Sequence, residues 1–143
     1  MPKNRILALV CGVLAIPLTL AYADSCFTAK AVGTQTPSPL SWSAILVLDT
    51  LETKLDYNVA CCGCGTQGVQ ARVYSDDEGF LFALSGLGGH CPIEGQWTST
   101  DPVPLTPQRV QALKDGKLYL LLWQPTCHAE FVQAHLTPES CEE

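Results

Sequence analysis

Positive charge is scarce in this sequence, with 8 Lys and Arg residues against 14 Asp and Glu and a formal net charge of −6. An acidic surface repels phosphate backbones and anionic lipid headgroups, which argues against nucleic-acid binding and membrane-surface binding. The sequence also lacks a nucleophile elbow and a metalloprotease helix around its three histidines. We therefore expect a non-enzymatic protein with no nucleic-acid partner.

Long apolar runs are also missing, apart from one near the start of the chain. A short cationic stretch precedes the apolar residues 6–20, and Ala21-Tyr22-Ala23 follows them. This order is typical of a secretory signal that is cleaved after a small-x-small sequence. No second run of this kind occurs downstream, which argues against a transmembrane anchor. The sequence therefore predicts a signal peptide over residues 1–23 and a secreted or periplasmic protein.

Cysteine, by contrast, is abundant, with eight residues, of which Cys11 falls in the predicted signal. In small exported domains cysteines usually form disulfides, and each bridge contributes roughly 2–4 kcal/mol of stability. The candidates for disulfides are Cys26, Cys61, Cys62, Cys64, Cys91, Cys127 and Cys141. We expect Cys26 to join Cys141, and Cys91 and Cys127 to bridge back to the central cluster. Because seven is an odd number, one thiol is left free, paired between chains or bound to something else.

The same cysteines permit a second interpretation as a metal site. Thiolates and imidazoles suit zinc and copper(I), although the sequence lacks the two separated Cys-x-x-Cys pairs of typical zinc sites. The alternative ligands are Cys61, Cys62, Cys64, His90, Cys91, Cys127 and His128. The export signal favours disulfides, so we expect no cofactor, with zinc or copper as the alternative.

Short strands separated by turns account for most of the remaining sequence. Apolar runs or alternating positions predict strands at residues 42–49, 54–60, 68–74, 80–84, 93–98, 117–124 and 129–136. One helix is predicted, with Thr106 as its cap, Pro107 at its first position and Gly116 at its end. We expect a mainly β fold, an antiparallel Greek-key-like sandwich or barrel with one short helix before the last two strands. Residues 24–39 are expected to form an extended arm, and residues 137–143 a tail.

Two further groups of residues each have a structural and a functional interpretation. Trp42, Trp97 and Trp123 either fill the core or form a ligand-stacking surface, and we expect the core because each ring buries about 150–250 Å². The acidic run Asp76-Asp77-Glu78 is expected to be a solvated turn, since the sequence has no EF-hand pattern for calcium.

The C-terminal half has the segment Leu105-Thr106-Pro107-Gln108-Arg109-Val110-Gln111-Ala112-Leu113 and then Gly116-Lys117-Leu118-Tyr119-Leu120. These segments are similar to the helix, glycine and tyrosine-containing strand of the CHRD domain, a family named for chordin and widespread in exported bacterial proteins. Ala129-Glu130-Phe131-Val132 resembles the opening of the family's last strand. Residues 55–59 and 93–97 are similar to earlier strands, so that the resemblance spans residues 40–136.

The resemblance implies an antiparallel β-barrel or sandwich and no catalytic activity. The family often has histidines on its third strand, whereas this sequence has Ala71-Arg72-Val73-Tyr74 there. Any role that those histidines have in the family therefore does not apply to this protein. We expect an exported, disulfide-stabilised CHRD-like binding or structural module, with an unknown protein or envelope component as its partner. A metal-binding protein is the alternative.

Overall fold

A computed structural model describes residues 8–9, 12–13, 24–34, 39–62, 67–84, 89–124 and 128–141 of the chain. Most of the predicted signal peptide, residues 1–23, lies outside these ranges. None of the helices in the described part of the chain is long and apolar enough to cross a membrane.

Twelve strands and one helix make up the described residues. In chain order the strands are β1 (Ala8–Leu9), β2 (Gly12–Val13), β3 (Ser25–Val32), β4 (Ser41–Leu48), β5 (Lys54–Cys62), β6 (Gln67–Ser75), β7 (Gly79–Ala83), β8 (Gly89–His90), β9 (Ile93–Thr98), β10 (Leu118–Gln124), β11 (His128–His135) and β12 (Thr137–Glu139). Helix α1 spans Pro107–Lys114 and lies between β9 and β10.

Two antiparallel sheets enclose one core. The first sheet has the order β11-β10-β6-β7, with β8 also paired to β6, and the second has the order β12-β3-β4-β5-β9. The expected mainly β fold is therefore confirmed, and it is a sandwich of two sheets. Three strands follow the helix, because the short β12 comes after β10 and β11.

Alternating side chains explain how the first sheet covers the core. Leu118, Leu120 and Leu122 of β10 are buried, while the residues between them are partly exposed. Since successive side chains of a strand point to opposite faces, this pattern directs one leucine row inward and leaves an outer face. The buried Trp42 on β4 spans the core, and its Nε1 donates a hydrogen bond of 3.0 Å to the carbonyl oxygen of Val132 on β11.

Both terminal segments belong to the sandwich. Residues 24–39 were expected to form an arm, but β3 pairs with β4 over its whole length, from Ser25 opposite Leu48 to Val32 opposite Ser41. Thr137–Glu139, expected in a tail, pairs with β3 as the edge strand β12. The buried Phe27 supplies the apolar anchor for β3, which the neighbouring polar and proline-rich sequence obscured.

The helix follows the predicted capping pattern. Thr106 Oγ1 accepts a hydrogen bond of 3.2 Å from the backbone nitrogen of Arg109, and Pro107 occupies the first turn. Gly116 has φ +74°, a left-handed conformation that costs glycine little and commonly ends helices. The helix packs its buried residues Val110 and Leu113 into the common core.

The hairpin between β4 and β5 turns without a glycine. Glu52 adopts φ 60°, and the Asp49 carboxylate accepts hydrogen bonds of 2.8 Å from the Thr53 nitrogen and 3.0 Å from the Lys54 nitrogen. Desolvation acts to raise the pKa of Asp49, but these hydrogen bonds outweigh it and hold the pKa below its ordinary value. Side-chain capping by Asp49 therefore stabilises the turn.

Candidate functional site

Disulfides join residues that are far apart in sequence but lie at neighbouring strands of the second sheet. Cys26 on β3 pairs with Cys141 beyond β12, with 5.3 Å between their Cα atoms, as the sequence predicted. Cys61 on β5 pairs with Cys91 before β9, with 5.6 Å between their Cα atoms, so Cys91 does bridge back to the central cluster. Cys62 is disulfide-bonded as well. Cys64 and Cys127 lie outside the described residues.

Oxidation of these cysteines bears on the metal alternative. Zinc and copper(I) bind thiolates, and a cysteine held in a disulfide has no thiolate to offer. Three of the seven alternative ligands, Cys61, Cys62 and Cys91, are in disulfides. His90 is exposed on β8, and His128 begins β11. Within the described ranges no group of three or more His, Cys, Asp or Glu residues is placed to hold a metal ion.

The acidic turn between β6 and β7 is exposed, and its carboxylates have basic neighbours. The pairs are His135 Nε2 with Asp76 Oδ1 at 3.0 Å, Lys117 Nζ with Asp77 Oδ2 at 3.4 Å, and Arg109 Nη2 with Glu78 Oε1 at 2.8 Å. Hydrogen bonds from Arg109 lower the pKa of Glu78 below its ordinary value, and they raise the pKa of Arg109. The turn is therefore a solvated tip, held by the ion pairs of Lys117 and Arg109 and by the hydrogen bond between His135 and Asp76.

A row of rings crosses the outer face of the first sheet. In the strand register Phe80 on β7 lies opposite Tyr74 on β6, Tyr74 lies opposite Tyr119 on β10, and Tyr119 lies opposite His135 on β11. Tyr74 and Tyr119 point away from the core, because their neighbours on β6 and β10 are buried. Phe80 and His135 lie opposite them on the adjacent strands and therefore share this outer face. The sheet thus brings together four rings from four strands.

Ring contacts are continuous along this row. The ring centroids of Phe80 and Tyr74 are 5.5 Å apart, those of Tyr74 and Tyr119 are 5.2 Å apart and nearly parallel at 7°, and those of Tyr119 and His135 are 4.9 Å apart. Centroid separations of about 4.5–7 Å are the favourable range for aromatic pairs. The Arg72 guanidinium carbon adds a cation–π contact at 5.7 Å from the Phe80 ring centroid.

A second aromatic pair extends the same surface. Trp123 on β10 and Phe131 on β11 lie opposite each other, with ring centroids 5.1 Å apart. Trp123 Nε1 is buried and has no hydrogen-bond partner among the residues that the structure describes. We call this surface the aromatic face, and its members are Tyr74, Phe80, Tyr119, Trp123, Phe131 and His135.

The tryptophans divide between the two alternatives posed by the sequence. Trp42 and Trp97 are buried in the core, as expected, and Trp97 Nε1 donates a hydrogen bond of 2.7 Å to the Val103 carbonyl oxygen. Trp123 instead lies on the outer face and is only partly buried. Strand alternation alone could have indicated this, since Trp123 has the same parity as Tyr119 on β10. The row formed by Phe80, Tyr74, Tyr119 and His135 could not be predicted in this way, because it depends on the order of the strands in the sheet.

Exposure distinguishes the aromatic face from an ordinary sheet surface. Phe80 is 53% exposed and Phe131 is 58% exposed, and both rings contact other aromatic side chains. Contiguous exposed apolar surface bordered by polar groups is characteristic of interaction sites, whereas single exposed apolar residues are common everywhere. The face can therefore offer flat, partly rigid rings to a partner.

In comparisons with known proteins, no family model, curated protein or solved structure matches the chain.

Proposed function

We propose that this chain is an exported, non-enzymatic binding module with a CHRD-like sandwich, and that the aromatic face is its binding surface. The signal-like residues 1–23 support export, and the disulfides of Cys26 with Cys141 and of Cys61 with Cys91 suit an oxidising compartment. The partner is a protein or another component of the cell envelope.

The observation that carries this proposal is the exposure of Phe80 and Phe131, which belong to two groups of contacting rings on the same face of one sheet. Aromatic residues dominate the energetics of many interfaces, because they bury a large area and lose little conformational freedom. Here the backbone of four paired strands already fixes the spacing of the rings. Binding through this face therefore needs little ordering of the protein, which lowers its entropic cost.

Charge restricts the kind of partner that suits the face. The protein has a net charge of −6. On the aromatic face His135 Nε2 lies 3.0 Å from Asp76 Oδ1, and the Arg72 guanidinium lies over the Phe80 ring. A phenyl ring does not neutralise a guanidinium, so the face combines apolar rings with the positive charge of Arg72, and it suits a partner with a flat, apolar surface that carries no cation beside it.

Replacement of both exposed rings tests the proposal. The variant Phe80→Ser/Phe131→Ser is compared with wild type for co-sedimentation with the insoluble envelope fraction of the cells that export the protein. We expect at least about tenfold weaker binding, because an aromatic residue that anchors an interface typically contributes more than about 1 kcal/mol and the variant removes two. Thermal unfolding of each variant verifies that the sandwich is intact.

Matched controls come from exposed apolar residues elsewhere on the surface. Leu51 in the β4–β5 hairpin is 79% exposed and Val32 at the end of β3 is 57% exposed. The variants Leu51→Ser and Val32→Ser should bind as well as wild type. Equal loss in the controls would show that binding follows general hydrophobicity, and unchanged binding of the double variant would refute the assignment of the aromatic face.

A further inference from the structure

The strand β3 has a free edge along residues 29–32. On one side, β3 pairs with β4 over its whole length, whereas on the other side β12 pairs only with residues 26–28. Within the described part of the chain, no strand continues beside residues 29–32. Lys30 is exposed and Val32 is 57% exposed, so this edge is open to solvent. Open strand edges are templates for pairing with another chain.

The backbone of this free edge presents unpaired donors and acceptors. In an antiparallel pair, alternate residues direct both their N–H and their C=O groups to the same neighbour. The Gly33 nitrogen donates a hydrogen bond of 2.8 Å to the Leu40 carbonyl oxygen, so the odd-numbered residues of β3 bond to the β4 side. Pro138 on β12 agrees, because it has no N–H and lies opposite an odd-numbered residue. Lys30 and Val32 therefore direct their backbone groups to the free edge.

A cavity lies where the free edge begins. The chain leaves the first sheet after β11, where the Leu136 nitrogen donates a hydrogen bond of 2.9 Å to the Leu118 carbonyl oxygen, and it enters the second sheet at Thr137. This crossing turns the chain away from β3, so β12 does not continue beside residues 29–32. The resulting cavity has a volume of about 340 Å³, within the range of roughly 300–1,000 Å³ that is typical of ligand clefts.

The lining of the cavity combines small apolar side chains with unpaired charge. Ala29, Ala44 and Ala134 line it and leave room for the inward side chains of an added strand. Lys30 and Glu139 also line it, and neither belongs to an ion pair among the described residues. Lys30 lies on the free edge itself, whereas Glu139 lies farther along, opposite the paired part of β3. The free edge therefore favours a strand that brings a carboxylate to Lys30.

A second copy of this chain suits the edge poorly. Antiparallel pairing of two such edges would place the Lys30 ammonium groups of both copies near each other, and like charges on paired strands are destabilising. Each copy also carries a net charge of −6, so the two molecules repel each other. An exposed lysine on an edge strand is a common protection against edge-to-edge association. The strand that fits therefore comes from a different protein.

We propose that the free edge of β3 binds the C-terminal tail of a partner protein as an added antiparallel strand. Such a strand runs in the same direction as β12, and Thr137 blocks its path opposite Thr28, so it has to end beside Lys30. An antiparallel strand that ends there ends with its carboxyl terminus, and Lys30 pairs with the terminal carboxylate. Only His135 borders both this cavity and the aromatic face, and the proposal does not depend on the proposed function.

Peptides with and without a terminal charge test the carboxylate. The probe is the fluorescein-labelled octapeptide Gly-Ser-Gly-Ser-Thr-Val-Thr-Val with a free carboxyl terminus, and its control ends in an amide. Fluorescence anisotropy is measured with the full chain, its disulfides oxidised. We expect saturable binding of the acid and about twofold to fivefold weaker binding of the amide, since the ion pair with Lys30 is exposed. Lys30→Gln should abolish this difference, and Glu139→Gln should strengthen binding of the acid by removing a like charge.

Backbone changes test the added strand. The last four residues of the peptide are N-methylated one at a time, and we expect binding to weaken about fivefold or more at every second residue and to stay unchanged at the others. Val32→Pro removes an N–H from the free edge without removing a bond to β4, so it should weaken binding. Val32→Ala keeps that N–H and should bind as well as wild type. Thermal unfolding of each variant verifies that the sandwich is intact.

Several results would overturn the proposal. Absence of saturable binding, or equal loss at every methylated position, would refute strand addition, and equal binding of acid and amide would refute capture of a carboxyl terminus. Loss of peptide binding in Phe80→Ser/Phe131→Ser would assign the peptide to the aromatic face. A dimer of the full chain that Val32→Pro dissociates would assign the edge to a second copy.

Discussion

Removal of the Cys26–Cys141 disulfide should destabilise the sandwich more than removal of the Cys61–Cys91 disulfide. The residues of the Cys26–Cys141 bridge are 115 positions apart in sequence, and those of the Cys61–Cys91 bridge are 30 apart. In the chain-entropy description, a disulfide stabilises by restricting the unfolded chain, and the effect grows with the logarithm of the closed loop. These separations correspond to about 4.8 and 3.7 kcal/mol, a difference of about 1 kcal/mol.

The comparison uses the double variants Cys26→Ala/Cys141→Ala and Cys61→Ala/Cys91→Ala, each with the other bridges oxidised. Cys26 and Cys61 are both buried, and each variant removes the same two sulfur atoms, so the losses of buried area largely cancel. The free energy of unfolding is measured by urea titration, after peptide mapping has verified the remaining bridges. A larger loss for the Cys61–Cys91 variant, or no loss in either, would refute the loop-entropy reasoning for this protein.

Three further predictions concern single side chains, and all use the same urea titration. An added Cβ in Gly95→Ala would lie 2.5 Å from the hydroxyl oxygen of Tyr57, so we expect a loss of about 1–3 kcal/mol, partly restored by Tyr57→Phe; a neutral Gly95→Ala would contradict this close approach. Trp42→Phe removes a buried hydrogen bond and should lower the free energy of unfolding by about 1–3 kcal/mol in addition to the loss of ring area. Trp123→Phe removes an unpaired donor and should lower the free energy of unfolding less, and the reverse order would be inconsistent with the donor assignments. The pKa of Glu78 is lowered by its arginine partner, so the pair stabilises the fold above the ordinary value of 4.5 and this stability is lost as pH falls through the lower folded pKa. Because the pair is partly exposed, Glu78→Gln should cost only about 0.2–1 kcal/mol at pH 7 and nothing at pH 2, and a cost that grew in acid would contradict the sign of the shift.

Several features of the fold were predictable because they depend on short-range patterns. Alternation of apolar and polar residues identified β5 and β6 to within a few residues, since a strand with one buried face shows it with a period of two. The helix was also predictable, because Thr106, Pro107 and Gly116 act through local backbone geometry.

Other features depended on contacts between distant residues. The strand β3 was missed because its identity comes from pairing with β4 and β12 more than from its own pattern. The pairing of Cys61 with Cys91 was open among the cluster cysteines, since sequence spacing does not specify which side of a strand each thiol occupies.

The sequence by itself determined the class of fold, the helix and the use of cysteine in disulfides, because each follows from composition or from neighbours within a few positions, and the signal peptide over residues 1–23 stays a prediction. Only the tertiary structure decided which rings form the aromatic face. Tyr74, Tyr119 and His135 are far apart in the sequence, and they form one row because β6, β10 and β11 are adjacent in register. Likewise, the sequence shows Ile45 only as one residue of the apolar run in β4, and the structure shows that it lies on the side of the strand away from the core cluster. Strand order and side-chain direction are properties of the whole sandwich, and no local pattern encodes them.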